Sequence, residues 1–334
     1  MPDKQMAIQR AWRRGSDTER PIMVAIAGDS ASGKTTLTQG LVEALGSDRI
    51  TAICVDDYHR YDRAERQGQP FTPLHPACNY VDVMEQHLQL LALGQSVLKP
   101  VYNHGTGTLD RPVLVEPSEF VIAEGLLPLH TRLARACFDV TVYLDPPEII
   151  RRRWKVGRDT AKRGYSEIEV ASELARREPE SAAYIRPQRS HADIVIRFGP
   201  IEQRGETPDD PLSAYVMLRP TIAHPDLSGV ISEDTRKAAH LKLLRDEDGK
   251  PVDALHVHAY ADHSLTEQVE RSLWRALQEP EPLPSGLGRI GSEGRSEPLA
   301  VVQLLLLFHM FQARGSGEAV RAAATAGAEA QPLV

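Results

Sequence analysis

Short apolar runs alternate with longer amphipathic stretches from residue 21 to about residue 200. The runs Ile22–Ala27, Ile50–Val55, Phe120–Ala123, Val140–Leu144 and Ile194–Phe198 have the length and composition of buried strands. After the first of them, Leu37, Leu41, Val42 and Leu45 recur at helical spacing. Strands that alternate with helices predict βαβ units, hence an α/β fold with a mainly parallel sheet between two helical layers. The polar, Pro- and Gly-containing stretch Gly199–Pro211 reads as a linker. Beyond it the pattern predicts strands at Ala214–Leu218 and Ala254–Ala259 and a helix over Leu265–Leu277. A Pro/Gly/Ser-rich loop then covers Pro280–Pro298, followed by an apolar helix over about 299–313. Four regions follow: a flexible arm over 1–20, a main domain over 21–200, a C-terminal α+β extension over 201–313, and a tail over 314–334 with little to bury, predicted to be disordered.

Composition narrows this picture. With 334 residues the chain is long enough for a large core. Its 39 Lys and Arg against 46 Asp and Glu give a formal charge of −7, which disfavours nucleic acid as a partner. The three cysteines, Cys54, Cys78 and Cys137, are odd in number and scattered, which fits a reducing cytoplasm better than a disulfide framework. No Cys/His group has zinc spacing, and the His256-Val-His258 triplet reads as one face of a half-exposed strand. The first twenty residues lack the apolar core of a signal peptide. The most apolar segment, Val301–Phe311, is shorter than the roughly 20 residues of a membrane span and reads as a buried helix.

The chemistry begins where the first strand ends. Residues 28–35 read Gly-Asp-Ser-Ala-Ser-Gly-Lys-Thr, the G-x-x-x-x-G-K-[ST] pattern of a phosphate-binding P-loop between strand and helix. Gly28 and Gly33 let backbone N–H groups close around phosphate oxygens, and the helix start adds a positive dipole end. Gly28, Asp29, Ser30, Ala31, Ser32, Gly33, Lys34, Thr35 and Thr36 are therefore the expected nucleoside-triphosphate site. Lys34 is expected on the β- and γ-phosphates and Thr35 on Mg²⁺. A P-loop NTPase fold is expected over 21–200. The second strand ends at Asp56-Asp57, next to the P-loop in a doubly wound sheet, so Asp56 is expected to be a general base. If the following stretch is helical, His59 and Arg63 share a face and can hold a second phosphate. Glu124 closes the third strand and is expected as the Mg²⁺-side carboxylate.

A basic stretch follows the fourth strand. Arg151, Lys155, Arg158 and Lys162 fall on one helical face, Gly164 is an expected helix stop, and Ser166 with Glu169 spells a capping box for a second helix. A basic helical hairpin beside a phosphate site reads as a lid over about 151–190, whose closure would bring Arg158 and Arg163 onto charge developing on the transferred phosphoryl group.

Six stretches together resemble the phosphoribulokinases, in the longer form found in plants and cyanobacteria: GDSASGKTT at 28–36, DDYHRYDR at 56–63, KPVYNHGTGTLDRP at 99–112, AEGLLP at 123–128, WKVGRDTAKRGY at 154–165 and ARREPESAAYIRPQ at 175–188. The resemblance is strong over about 22–200 and weaker beyond. It implies Mg-ATP-dependent phosphorylation of the 1-hydroxyl of ribulose 5-phosphate, the step that supplies ribulose 1,5-bisphosphate for carbon fixation. It implies Asp56 as catalytic base, Glu124 as metal-side acid, Lys155, Arg158 and Arg163 as lid cations, and Asp159 as a further acid needed for turnover. His59, Arg63, Tyr102 and His104 match sugar-phosphate contacts, and Arg176 and Arg177 a basic pair near the lid. A homodimer joined through sheet edges is also implied. Plant members are switched by a disulfide between a P-loop cysteine and one near the base. Here the P-loop position is Ser32 while Cys54 remains, and no cysteine follows Cys137, so thiol control is not expected.

The rival reading is a related kinase acting on uridine or another sugar phosphate. A nucleoside acceptor calls for stacking aromatics, and the chain has 5% aromatic residues but His59, Arg63 and His104 near the expected acceptor site. A GTPase switch would carry Asn-Lys-x-Asp, and neither Asn79 nor Asn103 precedes a lysine.

Overall fold

The computed structural model describes residues 20–329 except 225, 228, 229, 280, 281, 292 and 293; for 162, 163 and 316–329 it describes the backbone only. The predicted arm, apart from Arg20, and the last five residues lie outside the described residues.

In chain order the elements are β1 (Ile22–Gly28), α1 (Lys34–Leu45), β2 (Ile50–Cys54), α2 (Val81–Ala92), β3 (Val97–Asn103), β4 (Thr108–Val115), β5 (Phe120–Gly125) and α3 (Arg132–Arg135). There follow β6 (Val140–Leu144), α4 (Glu148–Arg163), α5 (Glu167–Glu180), β7 (Ile194–Gly199), β8 (Ser213–Leu218), β9 (Ala239–Arg245), β10 (Pro251–Val257) and α6 (His263–Ala276). A short hairpin, β11 (Arg289–Ile290) with β12 (Gly294–Arg295), precedes α7 (Glu297–Glu329).

An eight-stranded sheet runs in the order β2-β5-β1-β6-β7-β8-β10-β9. The strands from β2 to β7 are parallel, and β8, β10 and β9 continue the sheet antiparallel. Every residue of β1 is buried, as a central strand covered on both faces requires. One face carries α1, α6 and α7 through Leu37, Leu41, Leu273, Leu304 and Leu307, and the other carries α2 through Met84, Leu88 and Leu91. β1 lies between β5 and β6, so the crevice beyond its carboxyl end is the ligand site of such sheets.

Three features depart from the pattern-based expectation. The chain over 97–115 forms a separate hairpin, β3–β4, which the periodicity hides because Pro100 and Pro112 interrupt it; the register shifts between Lys99 and Val101. Strand β9 leaves no signal in the apolar pattern because it is an edge strand with little buried surface. The last helix continues to Glu329 instead of stopping near 313, in line with the high helix propensity of its Ala, Arg and Glu residues. This helix is in fact long and apolar enough over Glu297–Gly315 to cross a membrane, but most of that segment packs in the core, with Leu304, Leu307 and Met310 fully buried. Burial, not shortness, explains its composition.

The C-terminal strands are pinned by a buried ion pair. Arg219 on the end of β8 donates to Asp246 at 2.7–2.8 Å and to Asp248 at 2.6 Å. It also donates to the carbonyls of Arg189 and Ala192.

Candidate active site

The P-loop geometry follows from its glycines. A Cβ on Gly28 would come within 2.6 Å of Ser32 Oγ and 2.8 Å of the Leu144 carbonyl, so no side chain fits where β1 turns into the loop. Ala31 (φ 63°) and Gly33 (φ 97°) have left-handed backbones, the alternation that turns successive N–H groups into an anion-binding nest. Lys34 follows at once as the first residue of α1, its ammonium donating to the carbonyls of Gly28 (3.0 Å) and Asp29 (2.9 Å). Ser30, Ala31, Ser32, Gly33, Lys34, Thr35 and Thr36 all border one cleft of about 1710 Å³. Gly28 and Asp29 do not: the first shapes the loop, and the second turns its carboxylate towards Arg151 and Ser181.

Parallel pairing of β1 with β5 sets Ile26 opposite Glu124, which brings Glu124 beside the P-loop helix. The Thr35 hydroxyl donates to Glu124 Oε1 at 3.1 Å. Burial raises the Glu124 carboxyl pKa above its ordinary value; Lys34 opposes that rise, while Asp56 adds to it. A buried carboxylate beside a hydroxyl is a hard-oxygen pair that suits Mg²⁺ held by one or two protein oxygens together with phosphates. Among the described residues no group of three or more His, Cys, Asp or Glu could hold a metal ion.

Strand β2 runs into a tight turn, Val55–Tyr58, that sends its two aspartates apart. Asp56 lines the cleft, and its Oδ1 accepts the Leu126 amide proton at 2.7 Å. A Cβ on Gly125 would reach 2.7 Å from that oxygen, so glycine there permits the approach. Asp57 instead pairs with Lys99 and accepts the Tyr102 amide proton at 3.1 Å, which ties the β3–β4 hairpin to the site.

The stretch 59–63 is not helical, so His59 and Arg63 are not partners on one helix face. His59 bridges to Asn79, and Arg63 reaches the hairpin loop, where its backbone N–H donates to the Gly107 carbonyl and its guanidinium to the His104 carbonyl, each at 2.7 Å. They converge on the cleft through the hairpin, with Tyr102 and His104. His59 Nδ1 meets Asn79 Oδ1 at 2.7 Å, and the Asn79 amide nitrogen is committed to the Pro73 and His75 carbonyls. The proton therefore sits on Nδ1, and Nε2 is an acceptor. Burial pushes the ring pKa down to about 4, partly offset by Asp56, so His59 is neutral at pH 7 and is no phosphate-holding cation.

Helix α4 buries two of its cations, Arg151 and Lys155. Lys155 (2% exposed) donates to Asp159 Oδ2 at 2.8 Å, and Arg158 donates to Oδ1 of the same buried carboxylate at 2.8 Å. Burial works against both charges. For Asp159 the Arg158 and Lys155 contacts outweigh it, holding the carboxyl at about 2. For Lys155 burial and the nearby Arg177 outweigh the help from Asp159 and lower the ammonium pKa to about 8. The predicted ends hold: Gly164 is left-handed, and Ser166 and Glu169 cap each other reciprocally. Arg176 and Arg177 border the cleft with both guanidinium groups on Glu173. The Arg163 side chain lies outside the described residues.

The fold also adds residues that motif reading passed over. Arg66 also lines the cleft, its guanidinium 4.8 Å from the centre of the Tyr102 ring and donating to the Tyr102 hydroxyl. Its position three residues after Arg63 was the available signal. Glu173, the shared partner of Arg176 and Arg177, carries no motif. Neither does the apolar end of the cleft, where Trp154 and Phe198 meet Leu212, Pro298 and Leu299 from the C-terminal part of the chain.

Comparison with known proteins agrees with this geometry. Phosphoribulokinase from Synechocystis sp. is 41% identical over 182 residues, which cover 54% of this chain and 55% of the relative. The chloroplastic phosphoribulokinase of Spinacia oleracea is 35% identical over 218 residues, covering 60% and 54%. The chain thus spans about half the length of these curated relatives. The solved phosphoribulokinase from Rhodobacter spheroides superposes with a TM-score of 0.53 at 17% identity, over 72% of this chain and 91% of that one, which shows a shared fold. The sequence model of the Phosphoribulokinase / Uridine kinase family matches residues 23–204, more than half of the chain, and the protein belongs to that family.

Proposed function

We propose that the protein is a phosphoribulokinase: it transfers the γ-phosphoryl group of ATP to the 1-hydroxyl of ribulose 5-phosphate, giving ribulose 1,5-bisphosphate and ADP. The observation that carries this reading is that Asp56 lines the same cleft as the P-loop and as Arg63, Arg66 and His104. The P-loop amides and Lys34 bind the triphosphate. Leu126 N–H holds Asp56 Oδ1, which orients Oδ2 to take the proton of the attacking hydroxyl. Neutral His59 accepts a hydrogen bond from a sugar hydroxyl, while Arg63 and Arg66 hold the 5-phosphate, Arg66 having its plane fixed by Tyr102. Lys155 and Arg158 lie where charge shifts onto the leaving phosphate. Thr35 and Glu124 would hold Mg²⁺, which neutralises phosphate charge when bound.

Two further readings go with it. The chain pairs as a homodimer through β9, one of the two edge strands of the large sheet, where Leu241, Leu243 and Leu244 are exposed. Its cysteines, all in the thiol form among the described residues, suit the cytoplasm.

The test is ADP release from Mg-ATP with ribulose 5-phosphate, ribose 5-phosphate, uridine or no acceptor. Turnover with ribulose 5-phosphate well above the other three is expected. Preference for uridine, which Phe71 at the acceptor end could stack, or equal rates with both pentose phosphates, would overturn the assignment.

A further inference from the structure

Asp29 is the second residue of the P-loop, yet its carboxylate faces away from the cleft. Oδ1 accepts the Ser30 amide proton at 2.6 Å and lies 3.6 Å from Arg151 Nη1. Oδ2 accepts the proton of the Ser181 hydroxyl. Arg151 also donates to the Ser30 carbonyl at 3.2 Å, and Arg158 reaches Ser30 Oγ at 3.4 Å. Asp29, Arg151 and Ser181 are 7%, 6% and 2% exposed. Ser181 begins the wide helical turn Ser181–Ile185 that follows Pro179 at the end of α5. One carboxylate therefore joins the P-loop, the start of α4 and the return from α5.

The same helix face continues from Arg151 to Lys155 and Asp159, each one turn further on. Whatever holds Arg151 sets the height and rotation of Lys155. Glu148 also holds Arg151, at 2.7 and 2.8 Å, so the helix persists if Asp29 is altered, while its attachment to the loop is reduced to the Arg151 and Arg158 contacts with Ser30.

We infer that Asp29 is a positioning residue, fastening the base of the helical hairpin to the P-loop so that Lys155 and Arg158 are in place at the phosphates before substrate arrives. Movement of the hairpin is then confined to its far part around Gly164. A cation already in place needs no reorganisation during transfer, which is where its catalytic value lies. This rests on the kinase reading of the site.

Asp29→Asn keeps the shape and removes the charge. Hydrogen exchange over 148–159 and 160–176, with and without MgADP, is measured beside kcat and the KM for ATP. In the unaltered protein, 148–159 is expected to be protected without nucleotide, and MgADP to slow exchange only over 160–176. Asn at position 29 should speed exchange over 148–159 by roughly tenfold and lower kcat by about 10- to 100-fold, with the KM for ATP nearly unchanged. Ser181→Ala, which removes one partner and leaves the charge, should act in the same direction more weakly, and it carries the test should the Asn variant fail to fold. Unaltered exchange and kcat in the folded variants would overturn the inference. So would a raised KM for ATP at constant kcat, since Asp29 would then be a nucleotide contact. The exchange measurement involves no sugar, so a protein that failed to phosphorylate ribulose 5-phosphate would sink the proposed activity and leave this result standing.

Discussion

The carboxylate of Asp56 lies in the cleft on the Leu126 amide, 2.7 Å away, whereas that of Asp57 points to the hairpin and pairs with buried Lys99. Two identical side chains, adjacent in sequence, thus have separate duties, one towards substrate and one towards the fold. Asp56→Asn should lower kcat by about 10²–10⁴-fold and leave ATP binding intact, as seen by titration calorimetry. Asp57→Asn should cost about 3 kcal/mol in urea unfolding, because it strands a buried ammonium. Near-normal turnover in the first variant would remove Asp56 from the role of base.

The acceptor phosphate is assigned to arginines and not to His59. Arg63→Ala and Arg66→Ala should each raise the KM for ribulose 5-phosphate about tenfold or more, with a smaller effect on kcat. Because burial holds His59 near 4, its charge is absent throughout pH 5.5–8. The pH dependence of that KM should therefore be the same in His59→Gln as in the unaltered protein. An inflection near pH 6.5 that the substitution abolishes would place a cationic imidazole on the phosphate.

Lys155 introduces an alkaline limit. Its cation is the working form, and burial with the neighbouring Arg177 lowers its pKa to about 8. The charge is present below that value and is lost as pH rises through it. Values of kcat measured between pH 7 and 10 should fall with a midpoint near 8, and Lys155→Arg should remove that midpoint whatever its effect on the maximal rate.

Cys54 borders the cleft, but burial raises its thiol pKa well above the ordinary value, and the charges of Asp56 and Glu124 add to the effect. Little thiolate forms at pH 7, so alkylation by iodoacetamide should be slow and oxidant should not switch the enzyme off reversibly. Reversible inactivation that disappears in Cys54→Ser would contradict this.

Much of the site was legible because its parts are local. The P-loop spells its own turn, and Glu124 and Asp56 each close an apolar run whose end must reach the crevice of a parallel sheet. What escaped depended on contacts between distant segments. The β3–β4 hairpin is broken in pattern by Pro100 and Pro112, and its place is set by contacts with distant residues, Asp57 through Lys99 and Arg63 through Gly107 and His104. His59 looked like a cation until Asn79 and its burial made it a neutral acceptor.

The amino-acid order by itself determined the α/β architecture, the phosphate loop and the identity of the carboxylates, since periodicity and glycine placement act over a few residues. The tertiary structure alone decided which way each charged side chain faces. It turned Asp29 to Arg151 and not to the cleft, and it buried Arg151 and Lys155 of α4 where the pattern alone could have suggested solvent. Pairs such as Lys155–Asp159 follow local spacing, but contacts such as that of Asp29 with Ser181 join segments more than a hundred residues apart, and no local spacing encodes them.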